Sequence, residues 1–187
     1  MHLTSIATVT YNVDFKPLFI FLGIALFVSM VYALINEVKL QGIPKKMAAG
    51  DYVGIIKNGE RLLRVYSKHS SKSIMRSVEY LHFALAVSYF SMSDDDHFLL
   101  HINAMNAFSD VKEFWLALFC LNKDDLEAAF GHYNRISCTD DTYIVKTYFE
   151  AYYAYKTGEE EAAKSKMDDI YERLTHPVLK QIANNIL

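Results

Sequence analysis

The sequence predicts an all-α protein in which one transmembrane helix precedes a helical domain. Three observations lead to this prediction. Residues 18–35 form an apolar run without a single charged side chain. Only seven Gly and three Pro occur in the 187 residues, which disfavours a fold with many tight turns. From Lys46 onward, apolar residues recur with the spacing of amphipathic helices, and we expect about seven helices there in an α-solenoid.

The apolar run from Leu18 to Ile35 is the predicted membrane anchor. At a rise of about 1.5 Å per residue it covers roughly 27 Å, close to the thickness of the hydrocarbon core of a bilayer. Residues 1–17 form a short tail that lacks the basic start of a cleavable signal peptide, so we expect an uncleaved, single-pass anchor. The alternative is a buried helix of a soluble core, although such helices usually carry a polar face.

Charges around the anchor predict its orientation. Lys16 precedes the run, whereas Lys39, Lys45 and Lys46 follow it closely and are the predicted basic contact with the membrane surface. The positive-inside rule then places the C-terminal domain in the cytoplasm. We expect the anchor to lie in the plasma (inner) membrane, in contact with its lipids. The opposite topology, which would make the protein an extracytoplasmic assembly factor, is the alternative.

Charge is unevenly distributed along the rest of the chain. Residues 36–77 have a net charge of +6, whereas residues 78–187 have a net charge of −9. Anionic lipids attract the first segment and repel the second. The basic stretch is modest and contains no nucleic-acid-binding motif, so we expect no nucleic-acid partner. Cys120 and Cys138 lack the spacing of metal ligands and predict no disulfide framework.

Helix-breaking and helix-capping residues divide this part of the chain. Gly42 and Pro44 are expected to end the first helix, so that residues 36–47 form a basic linker before a helical domain at residues 48–187. Acidic residues recur where helices of that domain are expected to begin, because a carboxylate there accepts hydrogen bonds from free backbone N–H groups. These residues are Asp94–Asp96, Asp124–Asp125, Asp140–Asp141 and Glu159–Glu161.

Several turns of this domain resemble those of the tetratricopeptide-repeat (TPR) family, in which each repeat of about 34 residues is a pair of antiparallel helices. Gly50-Asp51-Tyr52 matches the turn into the second helix of a repeat, and Lys156-Thr157-Gly158-Glu159 matches it nearly as well. Asn122-Lys123-Asp124-Asp125 matches it without the glycine. Ala129 and Ala163 then occupy the same small position of the second helix, separated by one full repeat length.

The resemblance covers about residues 46–175 and has two departures. Phe98 stands where the repeat before would have its small residue, and its separation from Ala129 is shorter than the repeat length. The first unit lacks its own first helix, which the anchor and linker replace. An ordinary antiparallel helical bundle is therefore the alternative architecture.

In TPR folds the first helix of each pair lines a concave groove, so the resemblance implies a partner-binding surface. The corresponding positions here are apolar and aromatic, which suits an amphipathic helix or an extended apolar peptide. The alternative is that these side chains form a core covered by the C-terminal segment, Val178–Leu187. The predicted groove residues are Phe83, Phe90, Phe114, Leu118, Tyr148, Tyr152 and Tyr155, and the same helix faces also carry Tyr80, Val87, Val111, Leu121 and Val145.

These features together predict a non-enzymatic scaffold or adaptor that binds a protein partner at the membrane, within a membrane-protein complex. No cofactor is expected, because the chain has no Gly-rich phosphate loop and no nucleophile elbow. The alternative from another class is a metal-binding or enzymatic subunit. It would use His97 and His101, which are four residues apart on one helix face, with Asp94 one turn earlier.

Overall fold

The computed structural model describes residues 16–68 and 71–187, including the side chains of residues 26–68, 71–72 and 74–187. Residues 1–15, most of the predicted N-terminal tail, lie outside these ranges. The described residues contain no β-strand, which confirms the all-α fold class. Their nine α-helices are α1 (Lys16–Ala48), α2 (Tyr52–Tyr66), α3 (Lys72–Ser91), α4 (Asp95–Ala104), α5 (Ser109–Asn122), α6 (Leu126–Tyr133), α7 (Tyr143–Lys156), α8 (Glu160–Ile170) and α9 (Pro177–Ala183).

Within residues 1–38, the first of two compact units, the structure describes only the beginning of α1. The 23 residues Leu26–Ala48 of α1 are long and apolar enough to cross a membrane, by length and composition. Many of the large apolar side chains of α1 are exposed rather than packed in a core: Leu26, Phe27, Val28, Met30, Leu34 and Val38.

α1 continues through Gly42 and Pro44 to Ala48, so the predicted helix break is wrong and residues 36–47 are helical rather than a linker. A proline inside a helix costs about 3 kcal/mol, because it removes a backbone donor and crowds the preceding turn. Ile43 and Met47, which flank Pro44, are buried against side chains of α2 and α3. Burial of each such side chain contributes about 1.5–3 kcal/mol, which offsets the cost of the proline.

Four helices of the second unit, residues 39–187, end in the same turn. The second residue after the helix adopts the left-handed conformation, and the N–H of the residue that follows it donates to the carbonyl five residues earlier, over 2.8–3.0 Å. The left-handed residues are Gly50, Ser93, Asp124 and Gly158, and the acidic residues that follow them are Asp51, Asp94, Asp125 and Glu159. Each acidic residue is the N-cap of the next helix, which confirms the predicted acidic helix starts near residues 94, 125 and 159.

The left-handed conformation of Gly158 supports a prediction. Its φ is +85°, and an added Cβ would meet no atom within 4 Å, so Gly158→Ala is expected to cost about 1–2 kcal/mol through backbone strain alone. Gly131, inside α6 and equally unhindered, is the matched control, where Ala is expected to stabilise by about 1 kcal/mol. Urea unfolding of the full chain in detergent measures both, and equal effects at the two positions would contradict the prediction.

Helices that follow one another in the sequence pack as pairs: α2 with α3, α3 with α4, α5 with α6 and α7 with α8. In addition, α5 packs against α7. Ala129 of α6 and Ala163 of α8 are fully buried, as expected of small residues where two helices approach closely. Phe98 of α4 is fully buried too, and its ring stacks on that of Phe119, with the ring centroids 4.9 Å apart.

Acidic side chains also hold the loops that join these helix pairs. Glu79 of α3 accepts hydrogen bonds from the backbone N–H groups of Asn106, at 2.9 Å, and Ala107, at 3.1 Å. Asp110 of α5 accepts from the backbone N–H of Ser137, at 2.8 Å, and from its hydroxyl, at 2.7 Å. Both contacts join residues 27 apart in the sequence. A carboxylate of α3 therefore fixes the loop between α4 and α5, and a carboxylate of α5 fixes the loop between α6 and α7.

Candidate functional site

An apolar cavity of about 210 Å³ lies between α3, α5 and the loop that joins α4 to α5. We term it the aromatic notch; it is lined by Tyr80, Phe83, Met105, Phe108 and Val111. α3 contributes two of these side chains, because residues three apart share one helix face. Phe83 is a predicted groove residue, and Tyr80 and Val111 lie on the helix faces predicted to line the groove.

Phe108 has an unusual backbone conformation at the rim of the notch. Its φ is 59° and its ψ is 48°, in the left-handed region that an aromatic residue rarely adopts. This conformation costs about 1–2 kcal/mol relative to an ordinary one. The side chain recovers little of that cost by burial, because 56% of it is exposed. Strain of this kind persists only where surrounding contacts hold the backbone in place.

Those contacts come from α3 and α5. The Glu79 carboxylate binds the N–H groups of Asn106 and Ala107, the two residues directly before Phe108. From the other side, the Lys112 ammonium donates to the carbonyl of Met105, at 3.2 Å. A side chain on each neighbouring helix therefore fixes the loop and, with it, the position of the Phe108 backbone.

Most of the predicted groove residues lie elsewhere, in the core. Phe114, Leu118, Tyr148 and Tyr152 are buried, and Phe83 and Phe90 are half-buried. Tyr155 is 38% exposed. Of the seven, only Phe83 lines the aromatic notch. The four buried side chains therefore line no open groove, and the arrangement matches the alternative in which this stripe is core.

The C-terminal segment covers part of this stripe, as that alternative expected. The fully buried Tyr148 donates its hydroxyl hydrogen to the carbonyl of Leu179 in α9, at 3.0 Å. Tyr152 donates to the side-chain oxygen of Asn122, at 2.5 Å. Burial raises the pKa of both tyrosines, so both remain protonated donors. Buried tyrosines are acceptable here because each hydroxyl has a partner.

Trp115 of α5 connects the aromatic notch with the C-terminal segment. Its ring lies 6.4 Å from that of Phe83, which lines the notch, and 5.4 Å from the ring of His176, which precedes α9. Both ring nitrogens of His176 are buried without a hydrogen-bond partner among the described residues. Burial therefore lowers the pKa of His176 to about 4, because an imidazolium there would lose its hydration without gaining a partner.

The three lysines predicted to contact the membrane surface lie in the second half of α1. Lys45 is exposed, whereas Lys39 and Lys46 are half-buried. Lys46 forms an ion pair with Asp51, at 2.5 Å, across the turn between α1 and α2. Lys45 and Lys46 occupy the last turn of the helix, where a positive charge interacts favourably with the helix dipole.

His97 and His101, the alternative metal ligands, make separate contacts. The exposed His97 lies 2.9 Å from the carboxylate of Asp94, whereas His101, only 3% exposed, places its Nε2 atom 3.1 Å from the Glu60 carboxylate. Both histidine rings stack on the ring of Tyr89. Within the described ranges, no group of three or more His, Cys, Asp or Glu is arranged to hold a metal ion.

His101 instead belongs to a chain of hydrogen bonds that joins α2, α3 and α4. A carboxylate only accepts, so the Nε2 atom of His101 carries the hydrogen that faces Glu60. Its Nδ1 atom then accepts from the Nδ1–H of His82, at 3.1 Å. Burial lowers the pKa of both histidines, whereas the neighbouring Asp94 raises the pKa of His97. The pair is therefore neutral at pH 7 and fixes the three helices together.

A larger cavity of about 880 Å³ lies beside α7 and α8. Three acidic and three basic side chains line it, so it has no net charge with which to select a charged ligand. Several of its polar groups already pair with one another: Lys166 binds Glu150, and the hydroxyl of Tyr143 donates to Asp169, both at 2.6 Å. This polar cleft is therefore a weaker candidate site than the aromatic notch.

In the part of the chain that the structure describes, the aromatic notch combines an apolar cavity, an exposed aromatic ring and a strained backbone. Sequence reasoning found Phe83 but missed Phe108, because no local signal marks a left-handed phenylalanine. Comparisons of the chain with models of known protein families, with curated proteins and with solved structures find no match.

Proposed function

We propose that the protein is a membrane-anchored adaptor that binds a segment of a partner protein in the aromatic notch and has no catalytic role of its own. The notch, with the exposed and strained Phe108 at its rim, is the observation that carries the proposal. The partner is expected to belong to a membrane-protein complex, because the adaptor itself is held at the membrane.

The size and chemistry of the notch favour a protein segment over a small molecule. Pockets for small ligands usually enclose about 300–1,000 Å³ and combine apolar walls with a few converging polar groups. The aromatic notch encloses about 210 Å³, and its lining is apolar and aromatic. A cavity of this kind suits one large apolar side chain of a partner, and such buried anchors dominate the binding energy of protein interfaces.

The strain at Phe108 supports the same role. Gly or Asn would adopt the left-handed conformation at lower cost, so a bulky aromatic residue is a poor choice for stability alone. Phe108 is held in this conformation by Glu79 and Lys112, which fix the backbone next to it. A loop whose backbone is fixed in advance loses little conformational entropy when a partner binds, which increases affinity.

A TPR-like solenoid is the architecture that we propose for the domain. Three observations support it: the helices pair in sequence order, their turns share one hydrogen-bond pattern, and α5 packs against α7 as successive first helices of repeats would. The two loop contacts made by Glu79 and Asp110 are a further repeated feature, since each spans 27 residues. A simple helical bundle does not require such repetition.

We further propose that α1 anchors the protein in the plasma (inner) membrane with the C-terminal domain in the cytoplasm. The exposed apolar side chains of α1 and the basic residues in its last turn support this placement. The exposed thiol of Cys138 provides the test, since Cys120 is half-buried. A membrane-impermeant maleimide added to intact cells is expected to leave Cys138 unlabelled until the membrane is opened; labelling of intact cells would indicate the opposite topology.

Phe108→Asn tests the adaptor function. Asn tolerates the left-handed conformation, so stability is expected to remain unchanged or to rise by up to about 1 kcal/mol, while partner binding is lost. In-membrane crosslinking followed by mass spectrometry measures partner binding, and Leu100→Asn, which also replaces an exposed apolar side chain, is the control. Crosslinks that persist in Phe108→Asn and disappear in Leu100→Asn would place the binding surface elsewhere.

A further inference from the structure

We propose that the partner segment recognised by the aromatic notch is acidic as well as apolar, with a carboxylate about one helical turn from the side chain that fills the notch. This inference rests on the proposed adaptor function and adds the chemical class of the partner. It is based on the charges that surround the notch.

Two basic residues extend the face of α3 that lines the notch. Lys72, Arg76 and Tyr80 are spaced four residues apart, and Phe83 follows three residues later, so all four share one helix face. Tyr80 and Phe83 line the notch, and successive residues on such a face lie about 5–6 Å apart. Arg76 is therefore one turn, and Lys72 two turns, from the notch.

Arg76 and Lys72 are exposed, and neither forms an ion pair with a residue that the structure describes. Five other basic residues of the domain have acidic partners: Lys46 with Asp51, Lys123 with Asp95, Arg135 with Glu113, Lys156 with Asp124 and Lys166 with Glu150. The two positive charges beside the notch are therefore available to an external carboxylate.

The other charged groups near the notch are already engaged within the chain. Glu79 binds the N–H groups of the loop, and Asp110 binds Ser137. Lys112 donates to the carbonyls of Asn103 and Met105. Hydrogen bonds to neutral groups leave these charges in place, so three positive groups, Lys72, Arg76 and Lys112, face two negative ones, Glu79 and Asp110. The excess at this edge of the domain is positive, and a partner with acidic residues complements it. Such complementarity mainly accelerates association and excludes basic competitors.

An anionic lipid headgroup would also be attracted to Arg76 and Lys72, but the notch favours a protein. The cavity has the volume of one side chain rather than of an acyl chain, and the two basic residues lie one and two helical turns from it on α3. An amphipathic helix satisfies both requirements at once, because residues three or four apart project from the same side of it.

A random peptide library displayed on phage tests the inference. The full chain, held in nanodiscs of zwitterionic lipid, is used for selection after the library has been depleted on the Phe108→Asn variant. The peptides that remain are expected to carry Asp or Glu three or four residues from a large apolar residue. Replacing that acidic residue by its amide is expected to weaken binding about tenfold.

Arg76→Glu is the decisive variant, and Lys164→Glu, at an exposed position of α8, is its control. Arg76→Glu is expected to select peptides with Lys or Arg at the acidic position, whereas Lys164→Glu is expected to select the same peptides as the unaltered chain. Enriched peptides that depend on Phe108 but show no acidic preference would overturn the inference and leave the adaptor function standing.

Two other outcomes would be equally informative. If no peptide depends on Phe108, the proposed adaptor function itself is overturned. If Arg76→Glu leaves the selected peptides unchanged but abolishes binding to vesicles that contain phosphatidylserine, the basic face recognises lipid and the inference is overturned.

Discussion

Tyr148→Ala is expected to lower the free energy of unfolding by about 3–5 kcal/mol, the range typical of removing a large aromatic side chain from a core. Tyr148 is fully buried, and its ring packs edge-on against that of Phe114, with the ring centroids 5.9 Å apart. The substitution leaves a cavity beneath α9 and also removes the hydroxyl that donates to the Leu179 carbonyl. Both losses act on the contact between α7 and the C-terminal segment.

Urea unfolding of the full chain in detergent, followed by far-UV circular dichroism, measures this effect. Tyr148→Phe keeps the ring and is expected to cost about 1 kcal/mol, the net value of one hydrogen bond. Tyr155→Ala, on the same helix but 38% exposed, is expected to cost less than about 1 kcal/mol. If Tyr148→Ala unfolds at the same urea concentration as the unaltered chain, Tyr148 belongs to an open groove and not to the core.

Acid is expected to destabilise the protein through His176. The pKa of this histidine is about 4 in the folded chain and about 6.5 in the unfolded chain, so the unfolded chain binds the proton more readily. The contribution of His176 to stability is therefore complete above pH 6.5 and is lost as the pH falls from 6.5 to about 4. At about 1.36 kcal/mol per pH unit, the total loss is up to about 3 kcal/mol.

Trp115, the one tryptophan of the chain, provides the readout, because its ring contacts His176. Unfolding curves monitored by tryptophan fluorescence at several pH values are compared between the unaltered chain and His176→Phe. His82 and His101 also have lowered pKa values, but both proteins share their effect. The difference between the two curves is expected to grow below pH 6.5, and a constant difference would show that His176 does not titrate in this range.

The helices and several of their caps could be predicted from the sequence because the signals for them are local. A carboxylate that follows a helix end binds N–H groups only three residues away, as Asp94 and Asp125 do. The glycines at positions 50 and 158 mark turns for a similarly local reason. The length and the apolar composition that would allow α1 to cross a membrane are likewise recognisable without any tertiary contact.

Features that depend on distant parts of the chain could not be predicted in this way. A proline such as Pro44 is expected to end a helix, but the contacts of Ile43 and Met47 with α2 and α3 outweigh its cost. The tyrosines of α7 have the spacing of either a groove or a core. Only the return of the C-terminal segment, which brings Leu179 to Tyr148 across 31 residues, distinguishes the two. The conformation of Phe108 likewise depends on a carboxylate of α3, a helix that lies two helices earlier in the chain.

The contacts of Glu79 and Asp110 bear on how such a chain can change in length. Each carboxylate lies on the first helix of a pair and fixes the loop that leads into the next pair, so α3–α4 and α5–α6 each carry the attachment point for the pair that follows. The spacing from Glu79 to Asp110 equals the spacing from the cap Asp94 to the cap Asp125. A duplicated segment of that length would bring both its own cap and its own attachment carboxylate. Lengthening the chain by whole helix pairs would therefore preserve these contacts between a carboxylate and a loop. Inserting a few residues between a carboxylate and its loop would break one of them.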